Sequence, residues 1–373
     1  MKNIAVVFGG KSVEHDISII TALQVISALP KSWKLIPIYI KMDGKFVIAD
    51  NLNDKNIYLN YDKLVKREKE ISFCLGNQQL IVLNKGKIKE KIKIDCAILC
   101  NHGHGGEDGS LQGLFETCQI PYTSCNVGSS AVCMDKALTK IMLKNADIDT
   151  PAYIHFDIDE YQKNKDKIKK QIVKTIKLPC IVKPVKLGSS VGINMCENES
   201  MLNDAIEHAF KYDDKIIVEK FIENAREFCC AVVKNSGELF ESKVSEVKKG
   251  RIFTFEEKYI NEKPKGQSKI SKTLDRKIKT MAKEVYKALE CDGVVRVDFL
   301  FDEAGDKLYV NEVNSIPGSL AFNLFDTSFD DLIITLVSEA EERKEKEKRI
   351  VYQFNSKAIE CFIKMTDNLK FKA

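Results

Sequence analysis

Short apolar runs alternate with stretches of helical periodicity along the first third of the chain. IAVVF (4–8) runs into Gly9-Gly10 and is followed by an amphipathic stretch from Ile17 to Leu29; KLIPIYI (34–40) and DCAILC (95–100) are further apolar runs. Short apolar runs bounded by turn residues read as buried strands, and apolar spacing of i, i+3, i+4 reads as a helix. The strand–helix–strand order predicts an α/β domain with a mostly parallel sheet. After Pro121, residues 134–146 read as a helix with Leu138, Ile141 and Met142 at helical spacing and Asp135 in the first turn. Residues 156–177 read as a lysine-rich solvated helix. LPCIVKP (178–184) and KIIVEKFI (215–222) read as strands flanking a glycine loop and a helix over 200–210. From about 223 to 316, the runs FCCAVV, LFESKVSEV, RIFTF, VVRVDFLF and KLYVNEVN predict antiparallel strands, interrupted by a helix over 272–290. Residues 329–349 form another predicted helix, and the more apolar tail, 350–373, has no pattern that places it.

Length and charge narrow the class. At roughly 150 residues per domain, 373 residues make two to three domains. The 58 basic and 54 acidic residues leave a net charge of +4, which excludes a polybasic nucleic-acid arm and an acidic tail as the main theme. No apolar run reaches the ~18 residues of a membrane span. The first residues, MKNIAVVFGG, lack the length and cleavage site of a signal peptide, so a cytoplasmic protein is expected. The 12 cysteines include no CxxC pair and are expected to be reduced, buried thiols rather than zinc ligands or disulfides. Only seven of the 58 basic residues are arginines, so each position that needs a planar, bidentate cation stands out.

Four motifs carry chemistry. RVDF (296–299) and NEVN (311–314) are separated by DEAGD, a hairpin turn. Side chains alternate along a strand, so Arg296 shares a face with Asp298, and Glu312 with Asn314. If the strands pair, Asp298, Glu312 and Asn314 converge as an oxygen ligand set suited to Mg²⁺, beside an arginine suited to phosphate or a developing oxyanion. IVKPVKLGSSVG (181–192) sets Lys183 on a strand before a small-residue loop that can wrap phosphates. NHGHGGEDGSLQGLFE (101–116) is a glycine loop ahead of a helix; its two histidines lack metal-site spacing, and a loop closing on a small carboxylate is the preferred reading. FGGKSVEHDIS (8–18) is not a P-loop, because Ala5 stands where that motif needs glycine, and GxGxxG is absent, against a nicotinamide dehydrogenase. Glu14 is left there as either a helix-start carboxylate or a partner for a substrate ammonium.

These blocks, together with IPYTS…SSAVCMDK, EKYI and NEVNSIPG, run in order over roughly residues 1–335 and resemble the D-alanine–D-alanine ligases of the ATP-grasp superfamily. The resemblance implies an N-terminal Rossmann-like α/β domain (1–133), a central ATP-grasp subdomain (134–222), an α+β catalytic subdomain (223–340) and a charged helix and tail (341–373), with ATP held between the two ATP-grasp subdomains. It implies ATP-dependent joining of two D-alanines through an acyl phosphate, for peptidoglycan precursors, with Mg²⁺ (Mn²⁺ able to substitute), no nucleic-acid or membrane partner, and a homodimer.

By motif, Lys136 and Lys183 would hold ATP phosphates, Glu219 would read the adenine side and Glu227 the ribose. Asp298, Glu312 and Asn314 resemble the metal ligands, and Arg296 and the Gly318 N–H the oxyanion stabilisers. Glu14, linked with Ser189 and Tyr259, would hold the first ammonium, with His102 beside it. Lys258 and Tyr259 would belong to a loop closing over the site. Asn323, where many members have serine, and Leu324 would meet the second carboxylate; this departure keeps a ligase with another acceptor, such as D-serine, as the alternative. The loop after Tyr259 departs too, lacking the usual Pro-Ala.

Overall fold

The computed structural model describes residues 1–247 and 270–370. Contacts divide the chain into a unit of residues 1–341 and a second unit of residues 342–373.

The first unit holds three sheets. The N-terminal sheet has the order β6-β5-β4-β3-β2-β1-β7. Its strands are β1 (Asn3–Gly9), β2 (Lys34–Ile40), β3 (Phe46–Ile48), β4 (Lys69–Cys74), β5 (Gln79–Asn84), β6 (Lys87–Lys93) and β7 (Cys96–Leu99). Strand β1 is parallel to both β2 and β7, as the strand–helix–strand order requires. The sheet is not mostly parallel, however, since β2 to β6 run antiparallel throughout. Short turns join β4, β5 and β6, and a parallel pair would need a crossover of a dozen or more residues. This ribbon buries Ile71, Leu80 and Val82 while β6, KIKEKIK, is almost wholly exposed. Helix α1 (His15–Ser27), the short α2 (Tyr61–Leu64) and α3 (Ser110–Thr117) complete this part.

Helices α4 (Val127–Met134) and α5 (Lys136–Asn145) follow. The α5 helix starts two residues later than its apolar pattern suggests, because Asp135 is its N-cap and accepts from the Leu138 N–H at 2.8 Å. Its buried face also differs from the predicted one. Leu138, Ile141 and Met142 are 40–45% exposed, whereas Lys136, Ala137, Thr139, Lys140 and Leu143 are buried. Burial of a lysine is tolerated only with a partner, and both have carboxylates across the cleft.

The second sheet, antiparallel in the order β10-β9-β11-β8, consists of β8 (Tyr153–Asp157), β9 (Cys180–Pro184), β10 (Asn194–Cys196) and β11 (Lys215–Lys220), backed by α6 (Ile158–Gln171) and α7 (Leu202–Ala209). Phe156, Tyr161, Ile168, Val182, Ile206 and Val218 form its core.

In the third sheet, β12 (Arg226–Asn235), β13 (Glu238–Glu241), β15 (Val294–Asp302) and β16 (Lys307–Asn314) take the order β13-β12-β15-β16, and β14 (Ser245–Val247) also pairs with β12. Helix α8 (Lys272–Ala288) covers one face through Leu274, Ile278, Ala282 and Val285. The expected strand RIFTF lies outside the described residues. Helix α9 (Phe329–Glu347) buries Leu332, Ile333, Leu336 and Val337. In the second unit, α10 (Ala358–Lys370) exposes Ile359, Phe362 and Ile363. Among the described residues, no helix is long and apolar enough to cross a membrane.

Candidate active site

The hairpin β15–β16 pairs in the register that strand alternation predicts, with Arg296 opposite Asn314 and Asp298 opposite Glu312. The inward residues Val295, Val297 and Phe299 are buried, which turns Arg296 and Asp298 together to the other face. Arg296 grips Asp298 with both arms of its fork, Nε to Oδ1 at 2.7 Å and Nη2 to Oδ2 at 2.9 Å, and Asn314 Nδ2 donates to Asp298 Oδ2 at 3.2 Å. The register slips between Asp298 and Phe299, leaving Asn311 as the extra residue of a β-bulge. The bulge lets Asn311 face the same cleft as Glu312, where its Oδ1 accepts from Lys183 Nζ at 3.4 Å.

Across the cleft stand the lysines. Lys136, the first residue of α5, donates to the Leu187 carbonyl at 2.7 Å and lies 3.2 Å from Glu312 Oε1. Lys183 on β9 donates to Glu219 Oε2 at 2.9 Å, and the fully buried Lys140 lies 3.4 Å from Glu219 Oε1. Burial penalises all three charges. It wins at Lys140, whose pKa is lowered; at Lys183 the Glu219 carboxylate outweighs it and the pKa is raised; at Glu219 the two lysines outweigh it and the pKa is lowered. The result is a carboxylate clamped in its charged form between two ammoniums. Glu227, on β12, adds to the field that raises the Lys183 pKa.

The glycine loop after β9 closes the cleft. Ser189 Oγ donates to Glu14 Oε1, joining that loop to the start of α1. A Cβ on Gly188 would meet the two Glu14 oxygens at 2.6 and 2.8 Å, so only glycine allows this approach. Glu14 is itself buried and hydrogen-bonded to Ser189, so it is not a solvated carboxylate. Beside it Glu107 accepts from the Gly103 N–H at 2.8 Å and the Ile316 N–H at 3.0 Å, tying the HGHGGEDG loop to the loop after β16. Burial, and next the Glu14 charge, push the Glu107 pKa up to about 8. His102 is buried, and Thr21 Oγ1 lies 2.9 Å from its Nε2. The same hydroxyl accepts from the Ser319 N–H at 3.1 Å. Burial, with a smaller contribution from Arg296, lowers the His102 pKa to about 4.

Glu14, Glu107, Met134, Lys136, Gly188, Glu312 and Asn314 line one small cavity of about 30 Å³. Gly318 opens a turn in which Ser319, Leu320 and Ala321 all take left-handed φ of 50–54°, and a Cβ on Gly318 would meet open space. Asn323 is exposed and Leu324 is buried in the core; neither lines that cavity. Lys258 and Tyr259 lie outside the described residues. Among the described residues, no group of three or more His, Cys, Asp or Glu could hold a metal; the expected set is two carboxylates and an amide, whose oxygens suit a hard cation that completes its shell with phosphates and water.

Comparison with known proteins gives this arrangement its family. Residues 3–125 match the model for the D-Ala–D-Ala ligase N-terminus and residues 142–336 that for its C-terminus. The chain belongs to the D-alanine–D-alanine ligase family. It is 40% identical over 362 residues to a D-alanine–D-alanine ligase of Thermosipho melanesiensis, covering 94% of this chain and 96% of the relative. The D-alanine–D-alanine ligase structure from Coxiella burnetii superposes with a TM-score of 0.79 at 26% identity, covering 100% of this chain and 99% of that one. That of the VanG D-Ala:D-Ser ligase from Enterococcus faecalis superposes at 0.78 and 29%, covering 91% and 99%. The fold is thus ATP-grasp, and the protein is a ligase. Thr21, Glu107, Lys140 and Asn311 are the site residues that motif reading passed over. Glu107 sits inside a quoted block, and Lys140 falls one helical turn after Lys136.

Proposed function

We propose that this ligase joins two D-alanines to D-alanyl-D-alanine for peptidoglycan precursors, phosphorylating the carboxylate of the first and letting the amine of the second displace phosphate. One observation carries the reading: Arg296, Asp298, Glu312 and Asn314 share the open face of β15–β16, opposite the Lys136 and Lys183 ammoniums and the Glu14–Ser189 contact. A carboxylate is a poor electrophile until phosphorylated, and such a transfer is catalysed by positioning and charge neutralisation.

In this reading Lys136 and Lys183 bind the ATP phosphates, and Glu219, held by Lys183 and Lys140, takes the adenine side, with Glu227 at the ribose. Glu14 and Ser189, with Tyr259, hold the first ammonium beside the neutral His102. Asp298, Glu312 and the Asn314 amide oxygen would hold Mg²⁺, or Mn²⁺ in its place, which would neutralise phosphate charge. Arg296 and the Gly318 N–H stabilise the oxyanion of the tetrahedral intermediate, and Lys258 and Tyr259 close over the site to exclude water. Asn323 and Leu324 take the second carboxylate after the 318–324 turn rearranges. We assign residues 1–133 to an N-terminal substrate domain, 134–222 to a central ATP-grasp subdomain, 223–340 to a catalytic subdomain and 341–373 to a charged helix and tail. We place the enzyme in the cytoplasm as a homodimer.

D-Serine as acceptor is the less favoured reading. Purified protein with ATP, Mg²⁺ and a panel of D-amino acids separates the two: D-alanine alone should yield ADP, phosphate and the dipeptide. Turnover that appears only when D-serine is added would reject the D-alanine reading, and Asn323→Ser should then shift the preference.

A further inference from the structure

Three cysteines that the ligation chemistry does not use meet at one place. Cys125 precedes α4, Cys133 is in the last turn of α4, and Cys291 is in the turn between α8 and β15; all three are buried. The Cys133 and Cys291 Sγ atoms are 4.0 Å apart. Cys125 Sγ donates to the Asp292 carbonyl at 3.4 Å and is hydrogen-bonded to both other thiols. Those bonds draw the Cys125 pKa below that of an ordinary thiol and push its neighbours' up.

The surrounding joint has little slack. Ser129 Oγ donates to the Glu290 carbonyl at 2.6 Å, Asn126 Nδ2 donates to Asp292 Oδ2 at 3.3 Å, and a Cβ on Gly293 would meet the Ser124 backbone at 2.9 Å. One side of this joint leads into Lys136, the other into Arg296 and Asp298. Cys133 also lines the cavity shared with Glu14, Lys136 and Glu312.

We propose that Cys125, Cys133 and Cys291 form a site of oxidative modification, at which a hydroperoxide closes one disulfide and reversibly slows the enzyme. A thiolate sulfur attacks one peroxide oxygen; the O–O bond breaks, hydroxide leaves and takes a proton to become water, and a sulfenic acid remains. A neighbouring thiol attacks that sulfur; the S–O bond breaks, and hydroxide leaves with the thiol proton as a second water. Two sulfurs lose two electrons in total and one hydrogen peroxide is reduced to two waters. Closing a pair such as Cys133 and Cys291 from 4.0 Å to about 2 Å pulls α4 against the entry to β15 and shifts Lys136 relative to Arg296.

The test treats the full chain with hydrogen peroxide, with and without ATP and Mg²⁺, then blocks free thiols, maps disulfides by mass spectrometry and assays ADP release before and after dithiothreitol. One disulfide within the trio is expected, with turnover falling roughly tenfold or more, recovery on reduction and slower loss when ATP is bound. The C125S/C291S variant, with a single thiol of the trio, should keep its basal rate and resist peroxide. A disulfide mapped to the facing pair Cys180 and Cys196 of β9 and β10, no disulfide at all, or equal loss in the double variant overturns the proposal. The mapping on the wild-type chain decides even if the variant folds poorly, and it is independent of which amino acids are ligated.

Discussion

Arg296 holds Asp298 through two parallel hydrogen bonds, so its planar charge is oriented before any substrate arrives. A lysine could supply the charge but not the fork. Arg296→Ala should lower kcat by roughly 10²–10³-fold with a smaller change in the KM for ATP, the pattern of a group that acts in the transition state; steady-state kinetics checks it, and an unchanged kcat would reassign the residue. His102 makes a prediction about pH. Its pKa in the fold is about 4 against 6.5 for the free side chain. Above pH 6.5 both states are neutral there and folding gains nothing from pH. Between 6.5 and 4 the unfolded chain takes up a proton that the fold refuses, so stability falls as pH falls. At about 1.4 kcal/mol per pKa unit the loss is of order 3 kcal/mol. The stability gap between wild type and His102→Gln should therefore move in favour of the variant as pH drops from 7.5 to 5, measured by urea denaturation. At this scale, strand alternation made Arg296, Asp298, Glu312 and Asn314 legible in advance. Asn311 was not, because strict alternation sets it opposite Glu312 and only the bulge brings it round.

Among the elements, the glycine loop after β9 and helix α5 show what periodicity does and does not reveal. A small-residue loop after a strand ending in Lys-Pro announced a close approach to something, but not that the something is Glu14, more than 170 residues away in sequence. Gly188→Ala puts a methyl group onto the Glu14 carboxylate. It should raise the KM for D-alanine at least several-fold while moving the unfolding midpoint little, because the loop is outside the core; a large stability loss with unchanged KM would count against the contact. In α5 the apolar spacing of Leu138, Ile141 and Met142 marked a helix correctly and its buried face wrongly. Hydrophobic periodicity presumes that the inward face is apolar, and here Lys136 and Lys140 are turned inward by carboxylates on β11 and β16. The ribbon β3–β6 went unread for a related reason, since one face of β6 packs on nothing and its sequence looks like a solvated lysine run.

For the whole molecule, a net charge of +4 over 373 residues conceals a strongly polarised cleft in which lysines from α5 and β9 meet carboxylates from β11, β16 and the start of α1. The ordered motif blocks carried the family and the fold, and those that hold Glu14, Lys136, Gly188, Glu312 and Asn314 meet at that cleft. The division of buried charge among Lys140, Lys183 and Glu219 needed the packed structure. A cavity of about 30 Å³ has room for about one water molecule, so two amino acids and a nucleotide do not fit within it as it stands. The most direct measurement uses D-alanine labelled with ¹⁸O in its carboxylate. Attack on an acyl phosphate leaves one carboxylate oxygen on the departing phosphate, so the inorganic phosphate formed with each D-alanyl-D-alanine should carry one ¹⁸O; dipeptide formed with unlabelled phosphate, or labelled D-alanine left intact while ATP is consumed, would contradict ligation through an acyl phosphate.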